Sequence, residues 1–408
     1  MTATFVMGLG PMVVLAWRNL THNLFKLTVS LIGIAFAVML VSMELGFRHA
    51  LIDSTVELIR RLRADLFIIG AGSTTLASSE PFNRRVLDQA LTVEGVDRAY
   101  PLYMETRVAE LRNPAPSVSP RGAKARKIRV LAFDLDDLPR LLPEVADEVD
   151  ALREPHTALF DSKSRPAYGL NSEVVSDLGR HPVRTVLSRR PIALVGTFTL
   201  GTDFTTDGNL IMSDQNFLRY FPNRMLREPE LRTVEIGLLQ VAPGTDPRAL
   251  ARRLEGLLSD RGVKVLTKSE FLARETTFWN KRTPIGGVFW ACAVLGLVVG
   301  GVICYQVLSS DIADHIAEYA TLKAIGNSNG FLIGVVVAQA LILSIGGFFP
   351  GIALSAVLYD GLARGTGLLM VLSPGRVALV LGLDVLMCLA SSLFAIRKVL
   401  SADPAGLF

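Results

Sequence analysis

The chain has 408 residues, half of them apolar, and its 42 lysines and arginines exceed its 38 acids to give a net charge of +4. A surplus this small for the length gives no reason to propose a nucleic-acid partner. The apolar residues are gathered into uncharged regions: Leu27 to Met43, Ile285 to Ser310, Phe331 to Tyr359, and Val377 to Leu383, the last continuing past Asp384 to Ile396. A bilayer core takes roughly 20 apolar residues of helix, so the first, second and fourth regions fit one span each. The third is longer than one span needs and too short for two. Pro350, among Gly346, Gly347 and Gly351, predicts a single tilted or kinked helix there.

Taken in order, the chain opens with Val13, Trp17, Leu20 and Leu24 in one stripe at helical spacing, opposed by Arg18, His22 and Lys26. This reads as an interfacial helix with its tryptophan at headgroup level; the alternative is the first turns of a longer span. The apolar stretch from Phe5 to Leu15 has no basic residue ahead of it, so the first true span is expected to act as an uncleaved anchor. Glu44 falls near the outer end of that span and Asp384 inside the fourth. Intramembrane acids are functional candidates by default, but a proton path needs more than two. Glu44 is therefore expected to reach the interface, and Asp384 to be neutral or hydrogen-bonded to another helix. Arg18 and Lys26 before the first span, with Arg397 and Lys398 after the fourth, argue that both termini are cytoplasmic.

Between Arg48 and Pro284 the composition is that of a soluble α+β domain. Ala50 to Arg63 continues the first span as a stalk helix, and Ala64 to Gly70 reads as a strand stopped by glycine. Arg84 to Leu91 reads as helix, Arg98 to Leu111 as extended, and Ile128 to Phe133 as a strand. The intervening NPAPSVSPRGAKARK, Asn113 to Lys127, reads as an exposed hairpin tip or disordered loop, or else as a patch for acidic lipid or lipopolysaccharide. Further strands are expected at Ile192 to Thr199, Leu210 to Met212, Val234 to Val241 and Val263 to Leu266, with helices at Asp214 to Tyr220 and Asp246 to Leu258. Thr267 and Glu270 form an S/T-x-x-E capping box. The helix it starts is expected to run through Phe271, Thr277 and Trp279 into the second span as a second stalk. The domain reads as two lobes tied at both ends to membrane helices. None of Cys292, Cys304 and Cys388 lies in it, so no disulfide framework is available there.

Between the second and third spans lies DIADHIAEYATLKAIG, Asp311 to Gly326. Ile312, Ile316, Tyr319 and Lys323 recur at helical spacing, so three apolar groups and a lysine stem share one face. Such a helix is either a handle for a partner or a connecting loop on the lipid surface. Chemistry of the chain's own has little support. There is no G-x-x-x-x-G-K-[ST], H-E-x-x-H or C-x-x-C. GNSNG at Gly326 to Gly330 has the form of a nucleophile elbow but follows a charged helix, so it reads as that helix's terminating turn with Gly326 as C-cap. The five histidines are scattered and read as ordinary polar residues.

The segment DHIAEYATLKAIG at Asp314 to Gly326 resembles the cytoplasmic loop of the FtsX-like, or MacB-like, permeases of ABC transporters, and in particular those of DevC type. The resemblance covers nearly the whole chain, through WRNL at Trp17, LIGIAFA at Leu31, LFDSKSRPAYG at Leu159, DGNLIMSDQNFLRYFP at Asp207, VKVLTKSEF at Val263, TPIGG at Thr283 and SADPAGLF at Ser401. It implies an inner-membrane protein of four transmembrane helices and a large periplasmic α+β domain of two subdomains, working as a homodimer. The division is then 1–48 (interfacial helix and first span), 49–284 (periplasmic domain with stalks), 285–310 (second span), 311–330 (coupling loop), 331–359 (third span), 360–376 (outer loop) and 377–408 (fourth span and tail). The resemblance further implies no enzyme activity and no cofactor in this chain, ATP and magnesium being held by a separate cytoplasmic ATPase of DevA type. A periplasmic adaptor of DevB type, an outer-membrane channel of TolC type and membrane lipid complete the expected partners. In such systems the permease acts as a mechanotransmitter, and the cargo implied is glycolipid or another hydrophobic envelope compound. Glu318, Tyr319, Leu322, Lys323, Ala324, Ile325 and Gly326 would form the ATPase-docking surface. Two other roles are compatible with the same resemblance: an FtsX-type regulator of a cell-wall hydrolase, and a LolC/E-type lipoprotein-release permease. The long loop at Asn113 to Lys127, Glu44 and Asp384 depart from the family pattern.

Overall fold

The computed structural model describes residues 2–114, 125–203, 205–222, 232–366, 370 and 372–400. The chain packs as two units, one of Met1–His49, Gly287–Gly361 and Met370–Phe408, the other of Ala50–Gly286 with Leu362–Leu369. In chain order the elements are α1 (Thr2–His22) and α2 (Leu24–Arg61); β1 (Leu66–Gly70), β2 (Phe82–Asn83), α3 (Arg85–Leu91), β3 (Val96–Glu105), β4 (Glu110–Arg112), β5 (Ala125–Lys127), β6 (Arg129–Phe133), α4 (Leu138–Leu141), β7 (Thr157–Asp161), α5 (Ser172–Ser176), β8 (Val183–Leu187) and β9 (Arg190–Phe198). Then come β10 (Asn209–Ser213), α6 (Asp214–Tyr220), β11 (Thr233–Val234), β12 (Ile236–Val241), α7 (Pro247–Leu258), β13 (Val263–Thr267), α8 (Lys268–Thr277), α9 (Pro284–Asp314), α10 (Ile316–Ala324), α11 (Asn329–Thr366) and α12 (Pro374–Leu400).

Among the described residues, four helices are long and apolar enough to cross a membrane, over Leu24–Arg61, Gly286–Asp314, Asn329–Gly365 and Pro374–Ile396. The amphipathic start is a helix of its own and not the first turns of the span. It stops at Asn23, whose side chain accepts a hydrogen bond from the Lys26 backbone at 3.1 Å and so caps the start of α2. The third apolar region is one helix, α11, with Pro350 inside it. Its glycines serve close approach: a Cβ on Gly347 would come within 2.6 Å of Ile34, and one on Gly351 within 2.7 Å of the Ala35 carbonyl. Only glycine lets α11 lie this near α2. Asp384 on α12 accepts a 2.6 Å hydrogen bond from Ser344 on α11, so the acid is tied to a neighbouring helix as its burial requires.

The second stalk departs from expectation. After α8 the chain makes a π-helical turn at Phe278–Arg282, and Thr283 is extended with φ −112° and ψ 150° before α9 begins. Pro284 is the cause, because its ring drives the preceding residue out of the helical region.

The domain between these helices is built on one mixed sheet in the order β13-β1-β12-β3-β6-β10-β7-β9-β8-β4-β5. β3 belongs to both parts of it: Val96 to Leu102 pair with β12, and Tyr103 to Glu105 pair with β6. The two subdomains are thus joined through a shared strand. The sheet carries a core on each face. Leu66 and Ile68 of β1 enter one with Val86, Leu87 and Leu254, while Phe67 and Ile69 enter the other with Leu58, Leu62 and Phe271. Burial on both faces is why β1 reads as an unbroken apolar run.

The sequence reading missed β7, a central strand flanked by β10 and β9. Asp161 ends it and accepts hydrogen bonds from the backbones of Leu200 and Gly201, each at 2.9 Å, and from Asn209 Nδ2 at 2.7 Å. Beside it the buried Arg129 and Asp203 side chains form an ion pair. β4 and β5 pair as an antiparallel ribbon, Glu110 opposite Lys127, while the expected loop tip at 115–124 lies outside the described residues, as does the tail motif at 401–408.

A candidate coupling helix

The site expected from sequence centres on α10. α9 ends at Asp314, and His315, with φ −103° and ψ 17°, turns the chain before α10 begins at Ile316. At its far end Gly326 adopts φ +95°. Gly326 N–H donates to the Lys323 carbonyl and Asn327 N–H to the Leu322 carbonyl, both at 3.1 Å. These two bonds make a Schellman cap, which demands a left-handed residue and so accounts for the glycine.

The inner face of α10 is anchored by a buried polar relay. Gln339, fully buried on α11, donates from Nε2 to Asp311 at 2.8 Å and accepts from the Tyr319 hydroxyl at 3.3 Å. Asn19 of α1 also bonds that hydroxyl, and burial pushes the Tyr319 pKa up. Gln339 therefore ties α9, α10 and α11 together through one amide, whose donor and acceptor suit a carboxylate on one side and a hydroxyl on the other. A second anchor joins Lys26, near the start of α2, to Asp314 in an exposed ion pair.

This packing leaves only part of the expected docking face exposed. Ile312 and Tyr319 are buried, and Ile316 and Leu322 pack against the same core of α1, α2, α9, α11 and α12 residues. The apolar stripe is occupied by the chain itself, and Tyr319, only 1% exposed, offers no docking surface. The outward side carries Glu318, Ala324, Ile325 and Gly326, with Lys323 half-buried at its margin. Ile325 is 75% exposed, a large apolar side chain held out at the end of the helix. Gln339, Asn19 and Lys26 were not foreseen as parts of this site. The available signal was Gln339 itself, an amide inside an uncharged run, which must find partners in the bundle.

Residues 290–404 match the family model of the FtsX-like permease C-terminal region. No curated protein matches the chain by sequence. Among solved structures, the periplasmic region of MacB from Actinobacillus actinomycetemcomitans aligns at 10% identity with a TM-score of 0.33, over 52% of this chain and 92% of that one. The extracellular domain of the noncanonic ABC-type transporter YknZ from Gram-positive bacteria aligns at 11% identity with a TM-score of 0.31, over 50% of this chain and 98% of that one. Likenesses this slight are without functional weight. Over α9 to α12, including the α10 segment, the chain is similar to the C-terminal region of the FtsX-like permeases.

Proposed function

We propose that the chain is the permease subunit of an ABC-type export system, driven by an ATPase on a separate chain that docks on the outward side of α10. The observation that carries this reading is the family match over residues 290–404, within which α10 presents Ile325 outward from a firmly anchored inner face. An isoleucine held out at the end of an anchored helix is available to a partner. In this reading two permease chains pair, both termini are cytoplasmic, and the α+β domain meets a periplasmic adaptor leading to an outer-membrane channel, as in DevBCA-type systems. The cargo would then be a glycolipid or another hydrophobic envelope compound.

The test is ATP hydrolysis by the permease co-purified with its ATPase in proteoliposomes. Ile325→Asp is expected to bring hydrolysis down to that of the ATPase alone while the helical content of the permease is unchanged. Stimulation equal to the parent would overturn the docking assignment. Co-purification sorts the biological role: an adaptor with a coiled-coil hairpin supports export, whereas a cell-wall hydrolase or lipidated cargo would replace it with regulation or lipoprotein release.

A further inference from the structure

A cavity of about 760 Å³ opens between α2 and α9 in the membrane-spanning unit. Its walls change character along the two helices. Toward the middle of the spans they are mainly apolar, with Val29, Ile32, Ile303 and Val307 around the polar Ser30 and Gln306, and toward the helix ends they are charged, with Lys26, Asp311, Asp314 and Glu318 beside Asn19 and His22 of α1. The cavity closes where the helices touch: a Cβ on Gly33 would lie 2.8 Å from Ile303. From Gly33 to Lys26 is seven residues of helix, about 10 Å. The apolar spans themselves start at Leu24 and end at Asp314, so the charged rim stands at headgroup level and the floor within hydrocarbon.

We propose that this cavity holds one membrane phospholipid with a zwitterionic, primary-ammonium headgroup. The graded wall matches an amphiphile lying along the helices with its polar end at the rim. The rim supplies both signs within one site: Lys26 for the phosphate, and Asp314 and Glu318 for the ammonium, while Asp311, also in the lining, is engaged by Gln339. Lys26 and Asp314 pair with each other, and both are about half exposed, so exchanging that pair for a headgroup costs little desolvation. An anionic headgroup would satisfy Lys26 but set its remaining charge against the two carboxylates. A headgroup with three N–H donors, unlike a quaternary amine, can hydrogen-bond both.

The experiment is native mass spectrometry of the full-length chain in detergent, titrated with palmitoyl-oleoyl phosphatidylethanolamine or phosphatidylglycerol. The expected result is one phosphatidylethanolamine per chain, half-saturating at about tenfold lower concentration than phosphatidylglycerol, the effect of one charge-assisted hydrogen bond. Asp314→Asn, at an exposed position, is expected to reduce that ratio to about twofold or less. Val29→Trp, which fills the apolar floor from a side chain already exposed to it, is expected to abolish retention of either lipid. Equal retention of the two lipids by the parent overturns the proposal, and so does a preference that survives both substitutions in protein of unchanged helicity.

Discussion

The Gln339 relay makes a prediction whose size follows from its geometry. Tyr319→Phe removes an O–H···O contact to Gln339 of 3.3 Å, well beyond the usual 2.7–2.8 Å for such bonds, together with the Asn19 contact to the same hydroxyl, so it should cost about 0.5–1 kcal/mol. Gln339→Leu removes that contact and also the 2.8 Å bond to Asp311, and leaves a carboxylate short of its donor. Bonds to charged groups contribute about 1.5–3 kcal/mol in water-soluble proteins, but interhelical bonds in membranes average about 0.6 kcal/mol, so a loss of about 1–2.5 kcal/mol is expected. The double variant should cost less than the sum of the two, because the Tyr319 to Gln339 bond can be lost only once. Reversible unfolding of the full chain in mixed micelles of rising SDS fraction, followed by far-ultraviolet circular dichroism, gives all three values. If Tyr319→Phe costs as much as Gln339→Leu, or the two are strictly additive beyond about 0.3 kcal/mol of error, the relay does not anchor α10.

Two further outcomes are expected. Gly326→Ala should cost about 1 kcal/mol of α10 stability, because the added Cβ meets nothing within 4 Å and the penalty is that of the left-handed backbone alone; a neutral change in the same unfolding assay would remove the Schellman cap from the account. In the α+β domain, burial pushes the Asp203 carboxyl up, but the Arg129 guanidinium and the Thr205 hydrogen bonds pull it down by more, so it titrates below its ordinary value. A folded-state value below the unfolded one gives stability present above about pH 4 and lost as pH falls through the folded value. Asp203→Asn should therefore cost about 3 kcal/mol at pH 7, the penalty of breaking a buried pair, and progressively less below pH 4, measured by chemical unfolding across pH. A cost independent of pH would sink this assignment.

The spans were legible because a bilayer imposes length and the absence of charge. The capping box was legible for a similar reason: Thr267 and Glu270 satisfy each other's backbone locally, and the structure shows both bonds. β7 was not, since Thr157 to Asp161 is a short run whose strand character comes from neighbours distant in sequence. Which side of α10 is exposed was not legible, because a core and a partner both select apolar residues, and periodicity cannot tell which one a stripe faces. Pro284 was in plain view and was overridden by the apolar pattern around it. A proline between two helical patterns separates them more reliably than the patterns join.

The middle strands of the sheet carry a core on each face, while β8, β9 and β13 alternate buried with less buried positions and β5 is exposed throughout. Substituting either member of an adjacent pair such as Phe67 and Ile68 disturbs one interior or the other, so the middle strands have little freedom to vary. Any specificity for an adaptor, a hydrolase or a cargo must then be written into the periphery: the helices, the connecting loops, and the outermost ribbon of β4 and β5, whose final strand Ala125–Lys127 is exposed throughout and positively charged. Charge on an edge strand deters pairing with another sheet, so that ribbon can meet a partner through its side chains without being extended by it. Relatives with different clients should accordingly differ at this rim and agree in the strands beneath it.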